Sequence, residues 1–123
     1  MCVFCELLTK RENILYENEL AFAIYDNYPV TEGHALVIPK RHFASFFAAS
    51  EEEIIAINQA LKSTRELLDK RFRPDGYNLG VNQGEAAGQS VMHLHVHLIP
   101  RHFGDVVRPR GGVRSVIPGK QDY

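Results

Sequence analysis

Near its C-terminal end the chain reads His93-Leu94-His95-Val96-His97-Leu98-Ile99, closed by Pro100. Strict alternation over a short segment predicts a β-strand, because successive strand side chains point to opposite faces. All three imidazoles then emerge on one side, with Leu94, Val96 and Leu98 on the other. A buried strand gains nothing in packing from three histidines on a face, since each needs a hydrogen-bond partner to offset its desolvation. A row of imidazoles is a chemical device: base, nucleophile or metal ligand.

The remaining elements follow from local signals. Ile14–Glu17 and Ala21–Tyr25 read as strands separated by a turn at Asn18-Glu19, and Asp26-Asn27-Tyr28-Pro29 leaves the second as a loop. Thr31-Glu32-Gly33 is a further turn. The apolar run Ala35-Leu36-Val37-Ile38, ended by Pro39, predicts a central strand buried on both faces. Ser50 with Glu53 three residues on is a capping box. The helix it starts carries Ile54, Ile57, Leu61, Leu68 and Phe72 at helical spacing, and Pro74-Asp75-Gly76 ends it. Tyr77–Val81 is a strand, Asn82–Gly88 a glycine-rich loop, and the histidine strand follows. Gly111-Gly112 marks the tail, from about residue 104, as irregular. Five strands with one long helix between the third and fourth make an α+β domain with a mostly antiparallel sheet.

At 123 residues a single domain spanning 1–123 is expected, able to bury roughly two thirds of its unfolded surface. Hydrophobic residues at 45% against 24% charged describe a globular chain and exclude a disordered one. A net charge of −1 gives no general attraction to nucleic acid or to a membrane surface, so neither is expected as a partner. No apolar run approaches the length of a membrane span and no signal peptide opens the chain. Two cysteines are too few for a disulfide framework. A reducing, cytoplasmic setting is therefore expected.

Chemistry concentrates in Asn82-Gln83-Gly84-Glu85-Ala86-Ala87-Gly88-Gln89-Ser90 and the strand after it. Gly88 lets a ligand approach the backbone. Gln89 and Ser90 bring donors that suit phosphate oxygens. A histidine strand leaving such a loop can place an imidazole against phosphorus, where the neutral ring is a competent nucleophile near pH 7 and a neighbour stabilises developing charge.

These residues resemble the signature of the histidine triad (HIT) family: His, apolar, His, apolar, His, apolar, apolar. Gly88-Gln89-Ser90 is also family-like, as is Gly33-His34-Ala35-Leu36-Val37-Ile38-Pro39-Lys40-Arg41-His42. The resemblance runs from Cys2 to about Asp105. It implies the HIT fold, a five-stranded sheet with one long and one short helix. It also implies a hydrolase or nucleotidyltransferase acting at the α-phosphate of a nucleoside phosphate, and a homodimer. By position, the resemblance makes His95 the nucleophile that carries the nucleotide, His97 a holder of phosphate oxygens and His34 a supporting histidine. Asn82, Gln89 and Ser90 match positions contacting phosphate and leaving group, so Ser90 is both catalytic and binding. Asp26 matches the ribose-binding position, and Phe4 and Asn27 the base pocket of a purine, adenosine-type nucleotide. The stretch Glu85–Ser90 and the Pro100-Arg101 end are similar to the fragile-histidine-triad branch.

Cys2-Val3-Phe4-Cys5 is by itself a moderate zinc signal, since two thiolates can grip one ion from a tight turn. Free cysteines in a flexible N-terminus are the alternative, and a thioredoxin-like redox motif fits poorly because no strand precedes Cys2. Zinc-bearing members of the family complete such a site with two histidines, which by resemblance are His42 and His93. A closed Cys2His2 tetrahedron would hold a structural zinc.

Other readings remain open. His95, His97 and His34 could form a hydrolytic zinc centre with an open water position, or the chain could be a nucleotide-binding regulatory module. Lys40 and Arg41 read as solvated residues able to steer anions, and His102 as a surface residue. Arg108, Arg110 and Arg114 could grip the distal phosphates of a long polyphosphate or belong to an exposed extension. The expected substrate is a dinucleoside polyphosphate or a nucleoside phosphoramidate.

Overall fold

The computed structural model describes residues 2–123. In chain order the elements are α1 (Val3–Lys10), β1 (Ile14–Glu17), β2 (Ala21–Tyr25), β3 (Ala35–Pro39), α2 (Glu51–Phe72), β4 (Gly76–Gly80) and β5 (Val96–Arg101). Short 3-10 turns occupy Phe46–Ala48, Glu85–Ala87 and Gly112–Val116. The strands form one five-stranded sheet in the order β1-β2-β3-β5-β4, every neighbouring pair antiparallel. This is the expected α+β architecture, with one long and one short helix. The short helix that the resemblance implies is α1, at the N-terminal end, where no local sequence signal marks it.

Strand alternation splits the sheet into two faces. Ala21, Ala23, Val37, Leu94 and Val96 pack under α2 with Ala56, Ile57 and Ala60, and Leu98 meets Leu68 on the same side. Phe22, Ile24, Leu36 and Ile38 point the other way and are covered by Phe4 of α1. Being only eight residues long, α1 shields the β2–β3 half of that face. The β5 half stays open, and there the histidines emerge.

Helix α2 starts as anticipated: the Ser50 side chain accepts from Glu53 N–H while the Glu53 carboxylate accepts from Ser50 N–H. Its buried stripe is rotated from the one expected. Ala56, Ile57, Ala60, Thr64 and Leu68 face the sheet, whereas Ile54 is exposed and Leu61 and Phe72 are half-buried. Two alanines and a threonine let the helix lie closer to the strands than a stripe of large residues would.

The histidine segment also departs from expectation. The β5 ladder begins only at Val96. Ahead of it, Leu94 N–H donates to the Phe43 carbonyl at 2.7 Å, so the chain pairs with the loop after β3 instead of β3 itself. The alternation nevertheless persists, with Leu94 in the α2 core. β4 starts and ends one residue earlier than read, and β3 extends through Pro39. Gly33 closes the turn into β3 at φ +90, where a Cβ would stand 2.7 Å from the Phe72 ring. The tail is more ordered than anticipated: its 3-10 turn lies against β4.

Candidate functional site

Phe4, Asp26, Asn27, Asn82, Ser90, His95 and His97 line a cleft of about 380 Å3 together with Ile24 and Leu36, where the half of the face covered by α1 meets the open half. That volume lies within the ~300–1,000 Å3 range of small-molecule sites. Phe4 reaches it because α1 crosses there, and its ring meets His95 edge-on at 5.0 Å between centroids.

Hydrogen bonds assign a tautomer to each histidine. His95 Nδ1 lies 2.8 Å from the His93 carbonyl oxygen. A carbonyl only accepts, so Nδ1 carries the proton and Nε2 keeps its lone pair. His34 Nδ1 accepts from Val30 N–H at 3.1 Å, which puts the proton of neutral His34 on Nε2. That proton faces His97 Nδ1 at 2.9 Å, so neutral His97 presents an Nε2–H donor. Burial holds both His34 and His97 below the usual imidazole range. Asp26 opposes the shift in His34 and His97, and His95 and His34 reinforce it in His97. Asp26 Oδ2 stands 3.5 Å from His34 Nε2, and its Oδ1 accepts from Tyr28 N–H at 2.8 Å. The result is one ring with a free lone pair (His95) beside one with a free N–H (His97), centroids 5.2 Å apart. An attacking atom and a donor for a charged oxygen are what substitution at phosphorus needs.

A second cluster lies beyond Phe4. His93 Nε2–H donates to the Pro39 carbonyl at 2.7 Å, leaving Nδ1 bare. That nitrogen lies 3.5 Å from Cys2 Sγ, 3.6 Å from Cys5 Sγ and 3.2 Å from His42 Nδ1, and Cys5 Sγ is 3.5 Å from His42 Nδ1. Bond lengths of about 2.3 Å to sulfur and about 2.05 Å to nitrogen in a zinc tetrahedron imply S···N edges of about 3.6 Å and an N···N edge of about 3.3 Å. The four donors fit that figure, and the Pro39 carbonyl is the outer partner that orients a ligating imidazole. The other donor group among the described residues is Asp26, His34 and His97. His95 is not one of that group's donors: its Nδ1 is committed to a backbone carbonyl, and its Nε2 lone pair is directed elsewhere than the three clustered donor atoms.

Some candidates are placed differently from their reading. Gln89 is buried: its amide nitrogen donates to the Ala44 and Val91 carbonyls and its oxygen accepts from Gly84 N–H. The side chain staples the loop and has no donor left for a phosphate. Gly88, at φ +94, closes the 3-10 turn before it and does not line the cleft. Arg41 is not free to steer anions, because it grips Glu53 through two bonds at 2.8 and 3.1 Å, and Lys40 pairs with Glu17 at 2.6 Å. His102 donates to the Phe72 carbonyl at 3.0 Å, satisfying the last turn of α2. Sequence reasoning missed Val30, Pro39 and the His93 carbonyl, whose roles are backbone roles that no side-chain pattern announces.

Comparison with known proteins gives a consistent result. The HIT domain profile matches residues 8–104. An uncharacterised HIT-like protein of Methanocaldococcus jannaschii is 39% identical over 107 residues, 85% of this chain and 82% of that one. An adenylylsulfatase of Arabidopsis thaliana is 34% identical over 85% of this chain and 54% of its own length. A bis(5'-adenosyl)-triphosphatase of Dictyostelium discoideum is 33% identical over 76% of this chain and 63% of its own. Among solved structures, a zinc-bound histidine triad family protein from Mycobacterium smegmatis superposes with a TM-score of 0.78 at 33% identity, covering 87% of this chain and 79% of that one.

Proposed function

Since the chain belongs to the histidine triad family, whose members include nucleotide hydrolases, we propose that it cleaves a purine nucleoside phosphate, of adenosine type, at the α-phosphorus through a nucleotide carried on His95. The observation that carries this reading is the paired tautomers: His95 Nε2 unprotonated because Nδ1 is committed to the His93 carbonyl, and His97 Nε2–H exposed because His34 is committed to its Nδ1.

In the first step the His95 Nε2 lone pair forms a bond to phosphorus. The bond to the leaving group breaks, and its electron pair departs with that group. The positive charge acquired by the ring is met by the His93 carbonyl at Nδ1. His97 Nε2–H and the Ser90 hydroxyl hold the phosphoryl oxygens. Water then attacks phosphorus, breaks the N–P bond and returns His95 neutral. Asp26 accepts from the ribose hydroxyls, Asn82 contacts the phosphate, and Phe4 and Asn27 line the base pocket. Gln89 contributes by shaping the loop that carries Ser90.

Cys2, Cys5, His42 and His93 are the residues that would hold one zinc ion, whose chemistry there is structural cross-linking. The fit of the donor distances supports this, and the zinc-bound relative is consistent with it. Residues 1–123 are taken as one domain, acting as a cytoplasmic homodimer. Among the described residues no helix is long and apolar enough to cross a membrane.

Replacing His95 by Asn tests the mechanism. Loss of the covalent route should lower kcat by about 10^4-fold, while adenosine monophosphate still binds because Asp26 and the loop remain. Rapid quench of the wild type should trap an acid-labile, base-stable adduct on the peptide holding His95. Near-normal turnover by His95→Asn, or an adduct on another residue, would refute the proposal.

A further inference from the structure

Helix α1 takes part in two sites at once. Val3, Phe4 and Leu7 line the nucleotide cleft. Cys2 and Cys5 supply the two sulfurs of the donor group completed by His42 and His93. Phe4 stands between the two sites. Its ring meets His93 at 5.9 Å between centroids and an interplanar angle of 83°, and His95 at 5.0 Å and 62°. One short element therefore touches the donor group on one side and the nucleophile on the other.

The attachment of α1 is uneven along its length. At eight residues the helix is too short to be stable unless it is packed. Among the described residues, the polar contacts from residues 2–10 to the rest of the chain all run through the two sulfurs, to His42 and His93. The remainder is apolar: Phe4, with half-buried Leu7 and Leu8, lies on Phe22, Ile24, Leu36 and Ile38. The C-terminal end is fixed, because Arg11 pairs with Glu17 at the end of β1. Arg11 and Asn13, left-handed at φ 56 and φ 57, turn the chain directly into that strand. The end able to leave the sheet is thus the one that carries Phe4 and both cysteines. A cross-link from the sulfurs to His42, just after β3, and His93, just before β5, is what would fasten it.

Resting on the reading of the cleft as a nucleotide site and of the four donors as a zinc site, we propose that α1 is a two-state wall through which metal and nucleotide regulate each other's binding. Docked, it presents Phe4 and Leu7 to the nucleotide and both sulfurs to the metal. Undocked, it presents neither. Each ligand binds the docked state better, so both draw on the same equilibrium. Reciprocity then makes the two couplings equal: the factor by which zinc tightens nucleotide binding is the factor by which nucleotide tightens zinc binding. That factor is the inverse of the docked fraction in the metal-free chain, so a tenfold coupling corresponds to α1 docked in about one molecule in ten. The coupling acts on binding alone. His95, His97, Ser90 and Asp26 lie outside α1, so zinc removal should raise KM and leave kcat in place. Leu8 is a positioning residue for this equilibrium: it packs on the same apolar cluster yet lines neither the cleft nor the donor group.

Zinc and adenosine monophosphate are the probes. Calorimetry gives the Kd of the nucleotide on zinc-loaded and on chelator-treated protein. Competition with a chromophoric chelator gives the Kd of zinc with and without saturating nucleotide. Both constants should tighten by the same factor, about tenfold. Amide hydrogen exchange across residues 4–10 should be fast in the bare chain and slowed by either ligand, while residues 36–38 of β3 stay protected throughout. Leu8→Ala should weaken nucleotide binding several-fold further in the bare chain, and zinc should restore it. Equal nucleotide affinity with and without zinc, or α1 exchange indifferent to zinc, would overturn the coupling while both parent readings stand. So would a Leu8→Ala defect of the same size in the loaded and the bare protein. Loss of protection in β3 together with α1 would also overturn it, since the metal would then hold the whole domain instead of one hinged helix. Zinc-loaded protein that binds no nucleotide would refute the nucleotide reading, and protein that binds no zinc the metal reading; either result removes the coupling as well.

Discussion

The His34–His97 pair shows how much one hydrogen bond decides at the scale of the residue. His34 is 3% exposed, and burial lowers the pKa of both rings. Between the folded-state pKa and the ordinary value of 6.5, the unfolded chain binds more protons than the folded one. Stability contributed by the neutral pair is therefore complete above about pH 7 and lost as pH falls through 6.5 toward the folded pKa. Thermal melts of wild type and His34→Asn at pH 7 and 5.5 check this: the wild type should lose more stability on acidification, and equal losses would contradict it. Asp26 makes a second residue-scale case. Its carboxylate lines the cleft and can accept two hydroxyl hydrogen bonds, so ribonucleotides should be turned over faster than deoxyribonucleotides. Asp26→Ala should remove most of that preference. Equal wild-type rates on both sugars would argue against a ribose contact. The histidines themselves were legible in the sequence, since alternation at 93, 95 and 97 survives even where the strand ladder does not. Their tautomers were not, because Val30 N–H and the His93 carbonyl are backbone groups brought close only by the fold.

At the scale of the element, the strands and the α2 start were readable because each carries its own local signal: alternation, an apolar run ended by Pro39, a capping box. Helix α1 was not. Val3–Lys10 is one short amphipathic stretch, and a helix of eight residues is marginal alone. Its stability comes from what it touches, namely the Phe4 packing on Phe22 and Ile24 and the Cys2–Cys5 cluster on His93. If zinc closes that cluster, it ties the N-terminus to the sheet, and protein purified without chelator should contain about one zinc per chain. Cys5→Ser should then lower Tm more than it lowers intrinsic activity, since no step of the reaction passes through the cluster. Metal-free protein with an unchanged melt would refute the role. Within α2, the Thr64 hydroxyl is buried without a hydrogen-bond partner. Thr64→Val keeps the shape and removes the unmet group, so it should stabilise by about 1 kcal/mol, read as a rise of about 4 °C in Tm. A fall would mean that the hydroxyl has a partner in solution.

The whole molecule divides energetically between a sandwich and an appendage. The three buried clusters draw on the helices, the strands and the segments joining them, and none includes a residue beyond Leu98. The tail instead rests on β4 and Arg101 through Gly112 and is held together by contacts among its own residues. The sequence showed Gly111-Gly112 and three arginines, but not that Arg110 and Arg114 close on the Tyr123 ring while Arg108 pairs with Asp122, because those pairings join residues whose meeting depends on the path of the backbone between them. A chain ending at Asp105, which keeps the Arg101–Asp105 pair, should therefore still fold cooperatively. Its far-UV circular dichroism should retain the helical signal, its melt should remain a single transition, and its Tm should fall by less than about 5 °C, because no core side chain is lost. The shortened chain should also hydrolyse its nucleotide substrate at near the full-length rate, since His95, His97, Ser90 and Asp26 all precede the cut. Loss of the cooperative transition would show that the tail belongs to the folding unit, and would make the domain indivisible from Cys2 to Tyr123.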